Sequence, residues 1–295
     1  MARRSPAVER SIAVLNLLAA HPGERYTLSE IARDLRLNKA TLHAILGALT
    51  EAGYLVRDPE AKTYGLGPAL VALGNAAGSS FSAAEVARPE MESLASELEL
   101  DCIASTVIHG EIVILARAGI PRPFGIAVQP GQRLPLIPPL GAVFVAWSGP
   151  EEIDAWLGRL GPISDETRRR FRRAIEAVRG RGYSVGLEGD AQLLQALREH
   201  GAGGPTVEEA VQGLRREEYA LIDLDRKAAY RLNHIGAPVF GPEGRVALGL
   251  FLIGFQGRVP GREVERFGTR LAEAGATVTQ AIHGRPAEEL AAVRR

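Results

Sequence analysis

The segment TLSEIARDLRLNKATLHAILGALTEAG, residues 27–53, reads as two short helices joined by a tight turn and closed by a glycine. Thr27 and Glu30 stand at the spacing of a capping box, in which each side chain bonds the other residue's backbone N–H. Leu28, Ile31, Ala32 and Leu35 then share one helical face. Asn38 is placed to cap a second helix, whose buried stripe is Leu42, Ile45, Leu46 and Leu49. Gly53 falls where a left-handed C-terminal residue is wanted. Lys39, Thr41, His43 and Ala44 remain on the outside of the second helix, near its N-terminus. A supporting helix followed by a helix with polar groups at its N-terminus suits insertion into a DNA major groove. The same pattern also suits an ordinary helical hairpin in an all-α domain.

On the N-terminal side, Ser5-Pro6 is a cap followed by proline at the first helical position. The helix it opens is expected to turn Val8, Ile12, Leu15 and Ala19 inward and to end at His21-Pro22-Gly23. Before it, Arg3 and Arg4 form a short basic arm able to reach a minor groove, or simply a disordered terminus. On the C-terminal side, residues 54–56 and 63–66 are short strand-like runs with Asp58-Pro59 in the turn between them. Three helices and a hairpin describe a winged helix. Its wing carries Arg57 and Lys62, suited to phosphate contacts. Thr27 and Arg36, at the two ends of the supporting helix, complete the set of DNA-facing candidates. Residues 68–78 look like a linker helix with an apolar face (Leu70, Val71, Leu73), a surface that wants a second copy of the chain.

Beyond Gly78-Ser79-Ser80 the pattern changes. A helix is expected over 82–98, with Val86, Met91, Leu94 and Leu98 buried. A hairpin follows, turning at His109-Gly110. FGIAVQ (124–129) reads as a strand, residues 138–147 as a short apolar helix, and residues 151–160 and 165–179 as amphipathic helices. The arginines at 168, 169, 170, 172 and 173 lie mostly opposite the stripe of Phe171, Ala174, Ile175 and Val178, as a solvated face. Two strands joined by Gly241-Pro242-Glu243-Gly244 precede a last helix over 261–283, burying Val264, Phe267, Leu271, Val278 and Ile282. The result is an α+β domain with a mixed, mostly antiparallel sheet.

At 295 residues the chain has room for about two domains. With 46% hydrophobic and 24% charged residues it is an ordinary globular sequence. The formal net charge is zero, so affinity for DNA has to be local. Residues 1–66 hold nine Lys/Arg against seven Asp/Glu, a mild excess that weakens a purely electrostatic case. One cysteine, Cys102, allows no internal disulfide and sits in an apolar strand, which favours a place in the core over a nucleophile's role. The N-terminus lacks a signal peptide's apolar core, and no run is long enough to span a membrane, so a cytoplasmic protein is expected.

The six histidines are scattered and no metal-ligand spacing occurs. Gly65-Leu66-Gly67 starts like a dinucleotide loop, but Leu70 occupies the place of its last glycine. There is no P-loop and no nucleophile elbow. No metal or cofactor is expected, and the second domain reads as a sensor. The alternative is an enzyme or an interaction module that uses the winged helix for assembly.

The chain resembles the IclR family of bacterial transcriptional regulators over nearly its whole length. The matching segments are SEIARDLRLNKATLHAILGALTEAGYL, YGLGPALVALG, ARPEMESLASEL, VQPGQRLPL, RGYSV, IGAPVFGPEGRV and the last helix. The resemblance implies a winged helix-turn-helix over 1–66, a linker helix over 67–81, a GAF-like effector-binding domain over 82–285 and a tail over 286–295. It implies dimers or pairs of dimers on palindromic operators in double-stranded DNA, more often as a repressor, and a small-molecule effector.

Several positions depart from the family's pattern. Ala44 replaces an arginine, which leaves readout to Asn38, Lys39, Thr41 and His43. In the final strand Phe251 and Ile253 stand where the family has two serines. Ala142 replaces a lysine. His234, two residues after Leu232, stands where cysteine or serine is usual. A pocket built of these residues suits an apolar or aromatic effector better than a small acid, unless it is filled. The segment 191–229 is an insertion, expected as two helices forming a lid, an oligomer contact or a neutral decoration. It leaves Asp223 and Asp225 as the candidates for the family's acidic pocket residue.

Overall fold

The computed structural model describes residues 5–20, 23–80, 82–119, 128–188 and 220–286. Arg3, Arg4, most of the 191–229 insertion, and the tail past 286 lie outside these residues. The chain divides into two compact units, Met1–Phe81 and Ser82–Arg295. No helix among the described residues is long and apolar enough to cross a membrane.

The first unit is a winged helix. Helices α1 (Pro6–Ala20), α2 (Leu28–Asp34) and α3 (Lys39–Glu51) pack with an antiparallel sheet of β1 (Tyr26–Thr27), β3 (Thr63–Leu66) and β2 (Leu55–Arg57), in that order. Helix α4 (Ala69–Ser80) follows. Ile31, Leu42, Leu46 and Leu55 are buried together with Val14 and Leu18 of α1. Strand β1 is too short to announce itself in sequence, since two residues carry no period.

The inward face of α1 differs from the expected one. Val8 and Ile12 are 55% and 51% exposed, and the core is met by Val14 and Leu18. Apolar residues cover two adjacent stripes of this helix, and periodicity alone does not say which one meets α3.

The α2–α3 turn holds Arg36 in the left-handed region, at φ 52°. Gly53 ends α3 at φ 75°, and Tyr54 N–H reaches back to the Leu49 carbonyl at 2.9 Å, the closing bond of a Schellman turn. The chain entering α4 is laced to this corner. Gly67 N–H donates to Tyr54 O at 2.7 Å and Ala69 N–H to Gly53 O at 3.1 Å. A Cβ on Gly67 would stand 2.2 Å from the Gly53 carbonyl oxygen, so only glycine fits there.

The second unit opens with α5 (Ser82–Leu98). Met91 and Leu94 are buried as expected, but Val86 is exposed and Ala87 takes its place in the core. A six-stranded sheet then runs β6 (Arg133–Pro135), β5 (Glu111–Ala118), β4 (Asp101–Ile108), β10 (Val246–Ile253), β9 (Leu232–Phe240), β7 (Ser184–Leu187). Every pairing in it is antiparallel. The β4–β5 hairpin turns at His109 and Gly110 with φ of 50° and 81°, the two positive values a two-residue turn of the primed type requires. Val128 and Gln129, the described part of FGIAVQ, belong to no strand.

One face of the sheet packs on α5 and on the last helix, α9 (Gly261–Ala281). There Cys102, Ile235, Ala237, Leu250 and Leu252 meet Met91, Leu94, Val264 and Leu271. The other face carries α6 (Ala142–Val145), α7 (Pro150–Gly158) and α8 (Asp165–Arg181) around Trp156, Leu157, Ile175 and Val178. The short strands β8 (Ala229–Tyr230) and β11 (Val259–Pro260) pair beside it. The arginines of α8 are more than a solvated face. Arg172 and Arg168 reach Asp154 of α7 at 2.5 and 3.9 Å, and Arg179 donates to the carbonyls of Ala146 and Ser148.

Candidate functional site

The capping box at α2 forms in full. Glu30 Oε2 accepts from Thr27 N–H at 2.7 Å and from its hydroxyl at 2.8 Å, while Thr27 Oγ1 accepts from Glu30 N–H. These bonds hold the Glu30 carboxyl below the usual range. They also commit the Thr27 hydroxyl to the helix end. Asn38 Oδ1 accepts from Thr41 N–H at 3.0 Å, which leaves only its amide nitrogen to face outward. Thr41 is half-buried, whereas Lys39 and His43 are exposed.

The outward face of α3 runs Lys39, Ala40, His43, Ala44, Gly47 and Ala48, all exposed. Beyond His43 this face carries no side chain larger than a methyl group until Glu51. A surface so smooth allows close approach of a phosphate backbone, with the polar groups gathered at the N-terminal turns. Arg36 is exposed in the turn before α3. In the wing, Arg57 is exposed and lies 5.9 Å over the Tyr64 ring. Lys62 sits at the wing tip with φ 54°. The tip is pinned by Asp58, whose Oδ1 accepts from Ala61 and Glu60 N–H at 3.0 Å each; these bonds lower its carboxyl's pKa.

The second unit forms a half-open cavity of about 70 Å³ on the sheet face opposite α5 and α9. Ile103, Ser105, Phe251, Ile253, His234 and Asn233 contribute from the sheet, and Leu140 and Gly141 from above. The register explains the set. Phe251 pairs with Ile103 and with Gly236, and Ile253 pairs with His234, so these side chains share a face. The β7–β9 ladder shifts between Gly186 and Leu187, where Leu187 faces Leu232 and Gly186 faces His234. Asn233 is thus the extra residue of a bulge, and strand parity reverses across it. Leu232 therefore joins the core under α9, while Asn233 lines the cavity.

His234 stacks edge-on to Phe251 at 5.7 Å, and burial lowers its pKa to about 4, so its ring is neutral near pH 7. On the opposite face, Cys102 is fully buried and its thiol is pushed up to about 12 by desolvation, the inert core residue expected.

Of the effector candidates, the cavity brings together His234, Phe251 and Ile253, and the others lie outside its lining. Ala142 packs in the α6–α8 cluster, and its neighbour Gly141 is the lining residue. Leu232 faces the core under α9 because of the bulge. Asp223 is exposed and pairs with Arg173 at 3.5 Å. Asp225 is exposed and accepts from Lys227 N–H at 2.8 Å. Ser105 was the missed residue with a readable signal, a hydroxyl in a largely apolar strand in phase with Ile103. Among the described residues no group of three or more His, Cys, Asp or Glu side chains is placed to hold a metal ion.

Residues 7–59, from α1 into the wing, match the model of the IclR helix-turn-helix domain. The HTH-type transcriptional regulator XynR of Escherichia coli is 26% identical over 292 residues, covering 95% of this chain and 98% of the relative. The helix-turn-helix of this chain is of the IclR type. A glycerol operon regulatory protein of Streptomyces griseus is 46% identical over 76 residues, 25% of this chain and 29% of that protein. In fold, the crystal structure of the IclR-type regulator of Alicyclobacillus acidocaldarius superposes with a TM-score of 0.70, at 24% identity, over 96% of this chain and 100% of that one. The chain accordingly carries a DNA-binding helix-turn-helix of the IclR type and is similar along its length to transcriptional regulators. Its relatives are regulators, not enzymes, and the enzyme alternative falls.

Proposed function

We propose that the protein is an effector-responsive repressor that binds a palindromic operator as a dimer or a pair of dimers. The observation that carries this reading is the match of an IclR helix-turn-helix to a helix whose outward face presents Lys39 and His43 over a smooth surface. In this reading Lys39, His43, Thr41 and the Asn38 amide read base edges, while Arg36, Arg57 and Lys62 contact phosphates. Arg3 and Arg4 extend the reach into the minor groove.

A dimer agrees with the exposed apolar residues of the first unit, Val8 and Ile12 on α1 and Val71 and Leu73 on α4. It doubles a basic excess that is small in one copy. An apolar or aromatic small molecule in the cavity of the second unit then biases the spacing of the two α3 helices by population shift. The cavity is well below the roughly 300–1,000 Å³ of sites for drug-sized ligands, which points to a compact effector.

The test is a footprint on DNA upstream of the protein's own gene at several salt concentrations. Protection of two half-sites spaced by whole helical turns, weakening as salt rises, is expected. Uniform, sequence-independent protection would refute the reading.

A further inference from the structure

We infer that the cavity selects an uncharged effector bearing a hydrogen-bond acceptor, held by the Ser105 hydroxyl and the Asn233 side-chain amide. The inference rests on the effector-responsive reading above and gives its effector a chemical class.

Two polar atoms in the cavity wall have no partner among the described residues, Ser105 Oγ and Asn233 Nδ2. Both residues are more than nine-tenths buried, Ser105 at 1% exposure and Asn233 at 7%. Buried polar atoms are as a rule bonded, and an exception calls for an explanation. Other hydroxyls of the same sheet obey the rule. Thr106 donates to the Ala247 carbonyl at 2.8 Å and Ser184 to the Gly236 carbonyl at 3.3 Å.

The placement of both atoms is built into the strands. Ser105 pairs with Gly249, which has no side-chain group to bond the hydroxyl. Asn233 reaches the cavity only because the bulge reverses the parity of β9. A bulge that places an amide in a cavity wall and leaves it unbonded resembles the devices that aim side chains at ligands.

The remaining wall sets the charge of the occupant. No Asp, Glu, Lys or Arg is among the described lining residues, and His234 stays neutral. Arg117, on this face opposite Ile103, is committed to Asp101 at 2.7 Å and to the Val128 carbonyl at 3.1 Å, so among the described residues a carboxylate would lose its water without an uncommitted cation to replace it. A carbonyl or amide needs only the donors present, with its alkyl part against Ile103, Ile114 and Ile253.

The experiment compares matched isosteres on the full-length protein, propionamide against propionate and isobutyramide against isobutyrate, by calorimetry and ligand-observed NMR. Each pair has one shape and differs in charge. The amides are expected to bind, each carboxylate at least about tenfold more weakly. Ser105→Ala and Asn233→Leu are each expected to weaken amide binding about tenfold. Ser105→Ala is also expected to leave the thermal midpoint of the ligand-free protein unlowered, because it removes an unbonded hydroxyl. If Asn233→Leu fails to fold, Ser105→Ala decides alone.

Equal or tighter carboxylate binding overturns the inference. So does an absence of saturable amide binding, wild-type affinity in Ser105→Ala, or a midpoint lowered by that substitution. Binding is read on free protein, so a missing operator footprint would refute the regulator reading while leaving this result standing.

Discussion

The ring of Phe251 lies against the backbone of Gly236, so that a Cβ on that glycine would stand 2.5 Å from ring carbon Cε1. Gly249 gives way on another side, where a Cβ would meet Cε2 of the same ring at 2.5 Å. Two glycines in neighbouring strands thus let an aromatic ring lie down on the sheet, and the ring takes volume from the cavity beside it.

Gly236→Ala should destabilise the second unit by about 1–3 kcal/mol, since the methyl forces the ring or the Ser184 hydroxyl to move. Phe251→Ala should cost about 3 kcal/mol through the void it leaves. In the double variant the two losses should not add, because the methyl then enters space the ring has left. Denaturant melts of the four proteins check this, and strict additivity would contradict the contact.

Lys39→Ala and His43→Ala should each weaken operator binding by about 1–3 kcal/mol if the lost contact is to a base edge. Thr27→Ala should instead lower the stability of the first unit by about 1 kcal/mol, the worth of a helix cap. Gel-shift titrations and thermal melts on the same variants separate the two effects. Unchanged operator affinity for both α3 variants would remove α3 from the interface.

Acid should destabilise the second unit through His234. Its folded pKa of about 4 lies below the ordinary 6.5, so the unfolded chain binds more protons between these values. The stabilisation is complete above pH 6.5 and is lost as the pH falls towards 4, by about 2 kcal/mol once water entering the cavity is allowed for. His234→Leu should flatten the stability profile across that window. An identical profile in wild type and variant would show that the ring does not titrate this way.

Val71→Asp and Leu73→Asp place charge on an exposed apolar stripe of α4. Both should shift the protein towards monomer in analytical ultracentrifugation and weaken operator binding in proportion. A dimer undisturbed by both substitutions would move the interface elsewhere.

Where structure followed from sequence, the signals were local. The Thr27–Glu30 capping box, Asn38, Gly53 and His109-Gly110 each act within a few residues of themselves, and each forms as read. The regulator's helix-turn-helix was legible for that reason. Long-range choices were less so. Val8 and Ile12 lie on one of two equivalent stripes, and only the position of α3 breaks the tie. Strand β7 is four residues long and gains its identity from β9. The site suffered most at Asn233, because one extra residue reverses the strand's alternation and exchanges the roles of Leu232 and its neighbour. Asp223 and Asp225 were candidates only through an alignment that crosses the insertion.

The lacing at Gly53, Tyr54, Gly67 and Ala69 ties the end of α3 to the start of α4 through two backbone bonds and a glycine with no room for a methyl. Such a joint has no slack. The two helices are joined like the arms of one bell crank, so a turn of α4 about this corner is expected to carry α3 with it. On the proposed reading, no separate transmission is needed between α4 and the helix proposed to face DNA.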